Sequence, residues 1–159
     1  MDYRKEYEKW LASSALSEEE RAELRALAGN ETEIENRFYG PLEFGTAGLR
    51  GTMCTGLHNM NRHVIRWATQ GFANVIRAEG ADAMKRGVAV CMDCRNHSAE
   101  FARETACVMA ANGIHVRLFE SLRPTPELSF AVREYGCQAG VNVTASHNPK
   151  EYNGYKVYW

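Results

Sequence analysis

The sequence predicts an α/β domain of three layers. It has a mainly parallel sheet of about four strands plus an antiparallel edge strand, helices on both faces, and a helical N-terminal extension in front. From Leu42 onward, short apolar runs rich in β-branched residues alternate with longer amphipathic segments. The resulting order, strand-helix-strand-helix-strand-helix-strand, calls for crossover connections and parallel pairing. The last two runs, "AGVNVTAS" and "GYKVYW", are too close for a helical crossover and should therefore pair antiparallel.

Residues 1–36 form the expected extension and residues 37–159 the α/β domain. In "YRKEYEKWLASSA", Tyr3, Tyr7, Trp10 and Leu11 fall near one helical face, and Ser17 with Glu20 makes a capping box for a second helix that Gly29 and Asn30 stop. The apolar stripe is narrow, so this pair should pack on the main domain rather than build its own core. "EFGTAGLRGTMCTG" then leads into a helix with Val64, Ala68, Phe72, Val75 and Ile76 on its core face. After Gly87, "VAVCMD" reads as a buried strand. Ser98 is the expected N-cap of the next helix, which runs through Phe101, Ala106, Val108 and Met109 to Gly113. "IHVRLFE" is the following strand, and Pro126 suits the first position of the helix "ELSFAVREYG". Asn148-Pro149 and Asn153-Gly154 each favour a tight turn. The final strand, "YKVYW", is expected to leave an unpaired edge that invites self-association.

Composition narrows the function classes. The 159 residues are 45% hydrophobic and 25% charged, as in a soluble globular domain, and no apolar run is long enough to span a membrane. The charged start resembles no signal peptide, so a cytoplasmic location is expected. A net charge of −1 supplies no positive field for nucleic acid or an anionic membrane. Five cysteines, an odd number, favour a reducing compartment. Cys91 and Cys94 have C-x-x-C spacing, but no second pair completes a zinc site, and the pair ends a strand rather than opening a helix.

Ligands of parallel α/β sheets sit beyond the carboxyl ends of the strands. Asp93, Arg95, the "RPTP" loop and Ser146 all follow strand-like runs, so one end of the sheet collects acids, bases and a hydroxyl. A serine needs a base or nearby positive charge to act as a nucleophile, and His147 and Lys156 are the local candidates. "TASHNP" is not a G-x-S-x-G elbow, which argues against a hydrolase. "FGTAGLRG" offers glycines and Arg50 to an anion but is neither a P-loop nor a dinucleotide fingerprint; on spacing alone it reads equally as a turn between strands. "SHNPKEYNG" reads equally as a polar hairpin connection.

Together, "FGTAGLRG", "NRHVIRWATQGFANVI", "DCRNHS", "RPTPELSFAVR" and "TASHNPKEYNGYKVYW" resemble the first domain of the α-D-phosphohexomutases, from about Leu42 to Trp159. This is the family of phosphoglucomutases and phosphomannomutases, and the wording is most similar to its phosphoglucomutase/phosphopentomutase branch. The resemblance implies that Ser146 is the phosphoserine, that His147 assists proton transfer, and that Lys156 and Arg50 support the reacting phosphoryl. Thr46, Arg50, Asn148 and Lys156 are the implied phosphate-binding positions. The implied reaction interconverts sugar 1-phosphates and 6-phosphates, or pentose 1- and 5-phosphates, through a sugar bisphosphate that also serves as activator.

The resemblance further implies Mg²⁺, bound by a phosphoryl oxygen on Ser146 and by three aspartates of a D-G-D-G-D-R-like loop in a second domain. This chain has only Asp2, Asp82 and Asp93, far apart in sequence. The expectation is therefore an N-terminal piece of a larger mutase, inactive alone, whose partners are its own C-terminal domains and a phosphosugar. The alternative is a non-catalytic phosphosugar-binding or regulatory module that uses Arg50, Arg95 and Lys156.

Overall fold

A computed structural model describes residues 1–46 and 48–159; Ala47, inside "FGTAGLRG", lies outside the described residues. The N-terminal segment forms α1 (Tyr3–Leu11), α2 (Glu18–Arg25) and α3 (Glu31–Phe38). Asp2, Ser17 and Asn30 each accept a backbone N–H of the first turn, and Ser17 and Glu20 close the expected capping box. The sequence pattern does not announce α3, and the expectation of an extension without its own core is corrected. Leu16, Leu24, Leu27, Ile34 and Phe38 are buried together with Leu57, and Tyr3, Tyr7, Trp10 and Leu11 pack around them. Three short helices pool narrow stripes that none could bury alone.

The sheet comprises β1 (Leu49–Thr52), β2 (Val88–Met92), β3 (Val116–Leu118), β4 (Ala139–Val143) and β5 (Tyr152–Tyr158), in the order β1-β5-β4-β2-β3. β2 pairs parallel with β3 and β4, while β5 runs antiparallel to both β4 and β1. Four strands therefore share one direction and one opposes them, as the sequence indicated. The expectation of an unpaired last strand is corrected. Tyr152–Tyr155 of β5 pairs with β1, and Tyr155–Tyr158 pairs with β4. Part of the glycine-rich segment that reads as a turn is itself a strand, and it covers that flank.

The remaining helices are α4 (Arg62–Ala78), α5 (Ala81–Arg86), α6 (Ser98–Ala111) and α7 (Thr125–Glu134). On one face of the sheet, Val88, Val90, Val141, Val143 and Tyr155 pack with Ile65, Ala73 and Ile76 of α4 and Phe101, Ala102 and Met109 of α6. On the other, Ala89 and Cys91 meet Leu128 of α7. The core face of α4 is partly shifted from the expected one: Val64 and Ile76 are buried and Ala68 and Phe72 pack against the core as expected, but Ile65, Thr69 and Ala73 are buried as well and Val75 is 51% exposed. The buried Tyr155 hydroxyl accepts a hydrogen bond from Thr69 Oγ1 at 3.0 Å, which selects the Thr69 side of the helix.

Two local expectations change as well. α6 begins at Ser98 rather than after it, because Ser98 Oγ is committed to Asp93 Oδ1 at 2.9 Å, and His97 takes the cap position with φ 60°. Asn153-Gly154 is not a turn but part of β5. Asn153 turns its amide to Asn96 O and Ser98 Oγ. A Cβ at Gly154 would stand 2.5 Å from Thr144 O and 2.8 Å from Leu49 O, so the strand can close only on glycine.

Candidate functional site

The carboxyl ends of β2 and β4 lie side by side, since Met92 is the register partner of Val143 and the Asp93 N–H donates to Val143 O at 3.1 Å. The loop after β4 therefore meets the loop after β2. Ser146 and His147 are exposed at this end. Ser146 has φ 59°; among the described residues only His97 is another non-glycine with positive φ. This left-handed backbone costs an L-residue about 1 kcal/mol, so surrounding contacts must impose it. Thr144 Oγ1 accepts the Ser146 N–H at 3.0 Å, and the Asn148 N–H donates to Ala145 O at 3.1 Å. The Ser146 hydroxyl stands 3.4 Å from His147 Nδ1.

Arg50 reaches the same loop from β1. Its Nη1 donates to Asn148 Oδ1 at 3.4 Å, a long bond, and its buried Nε has no partner among the described residues. The Arg50 guanidinium therefore has donors to spare for an incoming anion. Arg50 is the register partner of Gly154, and its Cγ would lie 3.3 Å from a Cβ there. Lys156 lies two residues further along β5, on the same face of the sheet as Arg50. Lys156 and Thr46 line one cavity of about 320 Å³ with Gly45, Gly48 and Tyr158. The structure thus brings Ser146, His147, Asn148 and Arg50 together, whereas Lys156, the register partner of Asn142, and Thr46 line a cavity that none of those four residues lines.

Arg95 is bound quite differently from Arg50. Its Nη1 donates to Pro149 O at 2.9 Å and Tyr152 O at 3.0 Å, and its Nη2 donates to Ser146 O at 2.9 Å and Asn148 O at 2.7 Å. Its Nε faces Asp93 Oδ2 at 3.4 Å. Four of its donors bond loop carbonyls and its Nε faces Asp93, so the Arg95 guanidinium is committed to the loop rather than turned out toward a phosphosugar. Sequence reasoning missed this role and that of Thr144. The T-x-S spacing, which suits a hydroxyl-to-backbone bond two residues on, was the available signal for Thr144.

The C-x-x-C pair does not form a site. Cys91 is buried in β2 and Cys94 is exposed, and burial pushes the Cys91 thiol up to about 12. Among the described residues, no group of three or more His, Cys, Asp or Glu side chains could hold a metal ion. No helix of the described residues is long and apolar enough to cross a membrane.

The same fold and loops recur in known proteins. Residues 41–159 match the family model described as phosphoglucomutase/phosphomannomutase, alpha/beta/alpha domain I. The chain is 42% identical over 137 residues to the phosphopentomutase of Pongo abelii, covering 82% of this chain and 22% of that protein. It is 42% identical over 128 residues to the phosphoglucomutase of Staphylococcus saprophyticus, covering 80% and 23%. The crystal structure of a candidate phosphomannomutase from Thermus thermophilus superposes with a TM-score of 0.67 at 32% identity, over 75% of this chain and 26% of the other. The chain thus spans under a quarter of the length of the curated relatives it matches here. By these likenesses the chain belongs to the phosphoglucomutase/phosphomannomutase family, with residues 41–159 forming its α/β/α domain I.

Proposed function

We propose that this chain is the phosphoryl-carrying domain of a phosphosugar mutase and that Ser146 is the carrier. The observation that supports this most is the exposed, left-handed Ser146, held at the strand ends with His147 against its hydroxyl and an under-committed Arg50 on its loop. Phosphoryl transfer needs a positioned oxygen and positive charge around the equatorial oxygens more than it needs covalent chemistry.

In the proposed step a sugar hydroxyl oxygen bonds to phosphorus as the P–Oγ bond of phosphoserine 146 breaks. The sugar hydroxyl loses its proton, and Ser146 Oγ regains one, with His147 Nδ1 the nearest group to carry it. The bisphosphate so formed returns its other phosphoryl to Ser146. Arg50 donates to the transferred group, and Lys156, Thr46 and Asn148 bind phosphate oxygens. The substrates in this reading are hexose 1- and 6-phosphates, or pentose 1- and 5-phosphates, with the sugar 1,6-bisphosphate as activator, in the cytoplasm.

Mg²⁺ would neutralise charge on the phosphoryl group, but the described residues of this chain do not provide its ligand set. Beyond a phosphoryl oxygen on Ser146 they hold no carboxylate cluster, and Asp93 is engaged by Arg95 and Ser98. In this reading the metal ligands and the sugar-reading groups come from further domains, and residues 1–159 alone turn nothing over.

The test is a chimera in which residues 41–159 replace the matching segment of the Staphylococcus saprophyticus phosphoglucomutase. Glucose 1,6-bisphosphate should phosphorylate it at Ser146 and support glucose 1-phosphate turnover. A folded chimera that binds the bisphosphate but is never phosphorylated at Ser146 would favour the non-catalytic binding module instead.

A further inference from the structure

We propose that Arg95 is a positioning residue that fixes the carrier serine: its guanidinium ties the Ser146–Tyr152 loop to the end of β2 and thereby holds Ser146 in its left-handed backbone. The proposal builds on the reading of Ser146 as phosphoryl carrier, but its geometric part stands apart from that reading.

The loop from Ser146 to Tyr152 contains few internal bonds that could fix its shape. Its internal backbone bonds are Asn148 N–H to Ala145 O and Tyr152 N–H to Pro149 O, each spanning a single turn, and one further backbone bond, from Met53 N–H to Glu151 O at 2.8 Å, ties its far end to the segment after β1. Four of its carbonyls, those of Ser146, Asn148, Pro149 and Tyr152, converge instead on one side chain, at 2.7 to 3.0 Å. That side chain is only 12% exposed, so water cannot readily replace it. Arg95 is itself fixed from behind. Asp93 Oδ1 accepts the Arg95 backbone N–H at 3.0 Å and the Ser98 hydroxyl at 2.9 Å, and Asp93 Oδ2 faces Arg95 Nε.

A second strut runs from Asn153, whose amide donates to Asn96 O at 2.9 Å and Ser98 Oγ at 3.0 Å. The "DCRNHS" loop and the serine loop therefore form one hydrogen-bonded body. A planar fork with five fixed donors suits carbonyls spread along a whole loop; an ammonium with three donors on a flexible stem does not. The consequence for chemistry is geometric. With the Ser146 carbonyl pulled toward Arg95, the side chain is presented outward toward solvent beside His147 and the Arg50 face, and a small misplacement of a reacting oxygen lowers transfer steeply.

The experiment compares the 159-residue chain with R95K and R95A by amide hydrogen exchange, reading Ser146, Asn148 and Tyr152 against the sheet amides of Val90 and Val141. Loss of charge-assisted bonds worth about tenfold each should speed loop exchange by about tenfold or more in both variants, with the sheet amides unchanged. R95K keeps the charge and guards against a variant that merely unfolds. In the chimera, R95K should lower kcat for Ser146 phosphorylation by about tenfold or more while KM for the bisphosphate stays within about twofold. Unchanged loop exchange in R95K, or phosphorylation at the parental rate, overturns the proposal. If the parent chimera itself takes no phosphoryl at Ser146, the carrier reading fails, while the exchange comparison still decides whether Arg95 orders the loop.

Discussion

Ser146 holds φ at 59° although it carries a side chain, and the cost of that backbone makes a direct prediction. Ser146→Gly relieves about 1 kcal/mol of local strain and should raise the melting temperature by about 2–4 °C, whereas Ser146→Ala keeps the strain and should leave it nearly unchanged. Both variants remove the hydroxyl and should abolish phosphorylation. Calorimetry on the two variants checks the first statement; a Ser146→Gly chain that melts below the parent contradicts it. Arg50 gives the complementary case. Among the described residues its side chain makes one hydrogen bond, at 3.4 Å, so Arg50→Ala should leave melting within about 2 °C of the parent while lowering phosphoryl transfer in the chimera by about 100-fold.

The same residues show where the sequence was readable. Ser146, His147 and Asn148 are chain neighbours, so their proximity follows from the motif. The backbone state of Ser146 depends on Arg95, 51 residues away, and no local pattern encodes that distance.

At the scale of elements, β5 closes the sheet, and Gly154 is its tightest point. Adding a Cβ 2.5 Å from Thr144 O forces β4, β5 and β1 apart, so Gly154→Ala should cost about 1–3 kcal/mol and also displace Arg50, whose Cγ crosses the same position. Equilibrium denaturation measures the cost; a neutral result would mean that the strands can shift without penalty. The contrast with α4 is instructive. Periodicity pointed to a helix with Val64, Ala68, Phe72, Val75 and Ile76 inward; the structure buries Val64 and Ile76 but exposes Val75 and adds Ile65, Thr69 and Ala73, because α4 carries two adjacent apolar stripes. The Tyr155 hydroxyl, which accepts from Thr69 Oγ1, is a tertiary contact that draws the Thr69 side inward and that periodicity does not encode. β1 was hidden for a related reason: four residues that include a glycine carry no strand signature until β5 is present to pair with them.

Across the whole molecule, Glu20 is one of the residues that bind the helical N-terminal cluster to the α/β domain, beside Glu23 and Arg37 on Thr55 and the packing of Leu57. Burial acts to raise the Glu20 pKa, but the Ser17 N–H, Arg62 and His63 outweigh that effect and hold the carboxyl at about 2 instead of its ordinary 4.5. A depressed acid contributes stability that is fully present above pH 4.5 and is lost as the pH falls toward 2. Glu20→Gln should therefore lower the melting temperature at pH 7, and the gap to the parent should shrink as pH drops through this window. A gap independent of pH would assign Glu20 a packing role only.

The domain's overall architecture was legible because alternating apolar runs and short connections leave few ways to layer them, and the family resemblance agreed with that reading. The core of the helical cluster was not legible, because it arises only when three weak stripes meet Leu57.

The central claim is that Ser146 carries the phosphoryl group. The most direct measurement is peptide mass spectrometry of the chimera after incubation with glucose 1,6-bisphosphate, beside its Ser146→Ala variant. The account predicts one added phosphoryl on the peptide containing Ser146 and none in the variant. A folded, bisphosphate-binding chimera whose Ser146 stays unmodified, or a phosphoryl that persists in Ser146→Ala, would contradict it.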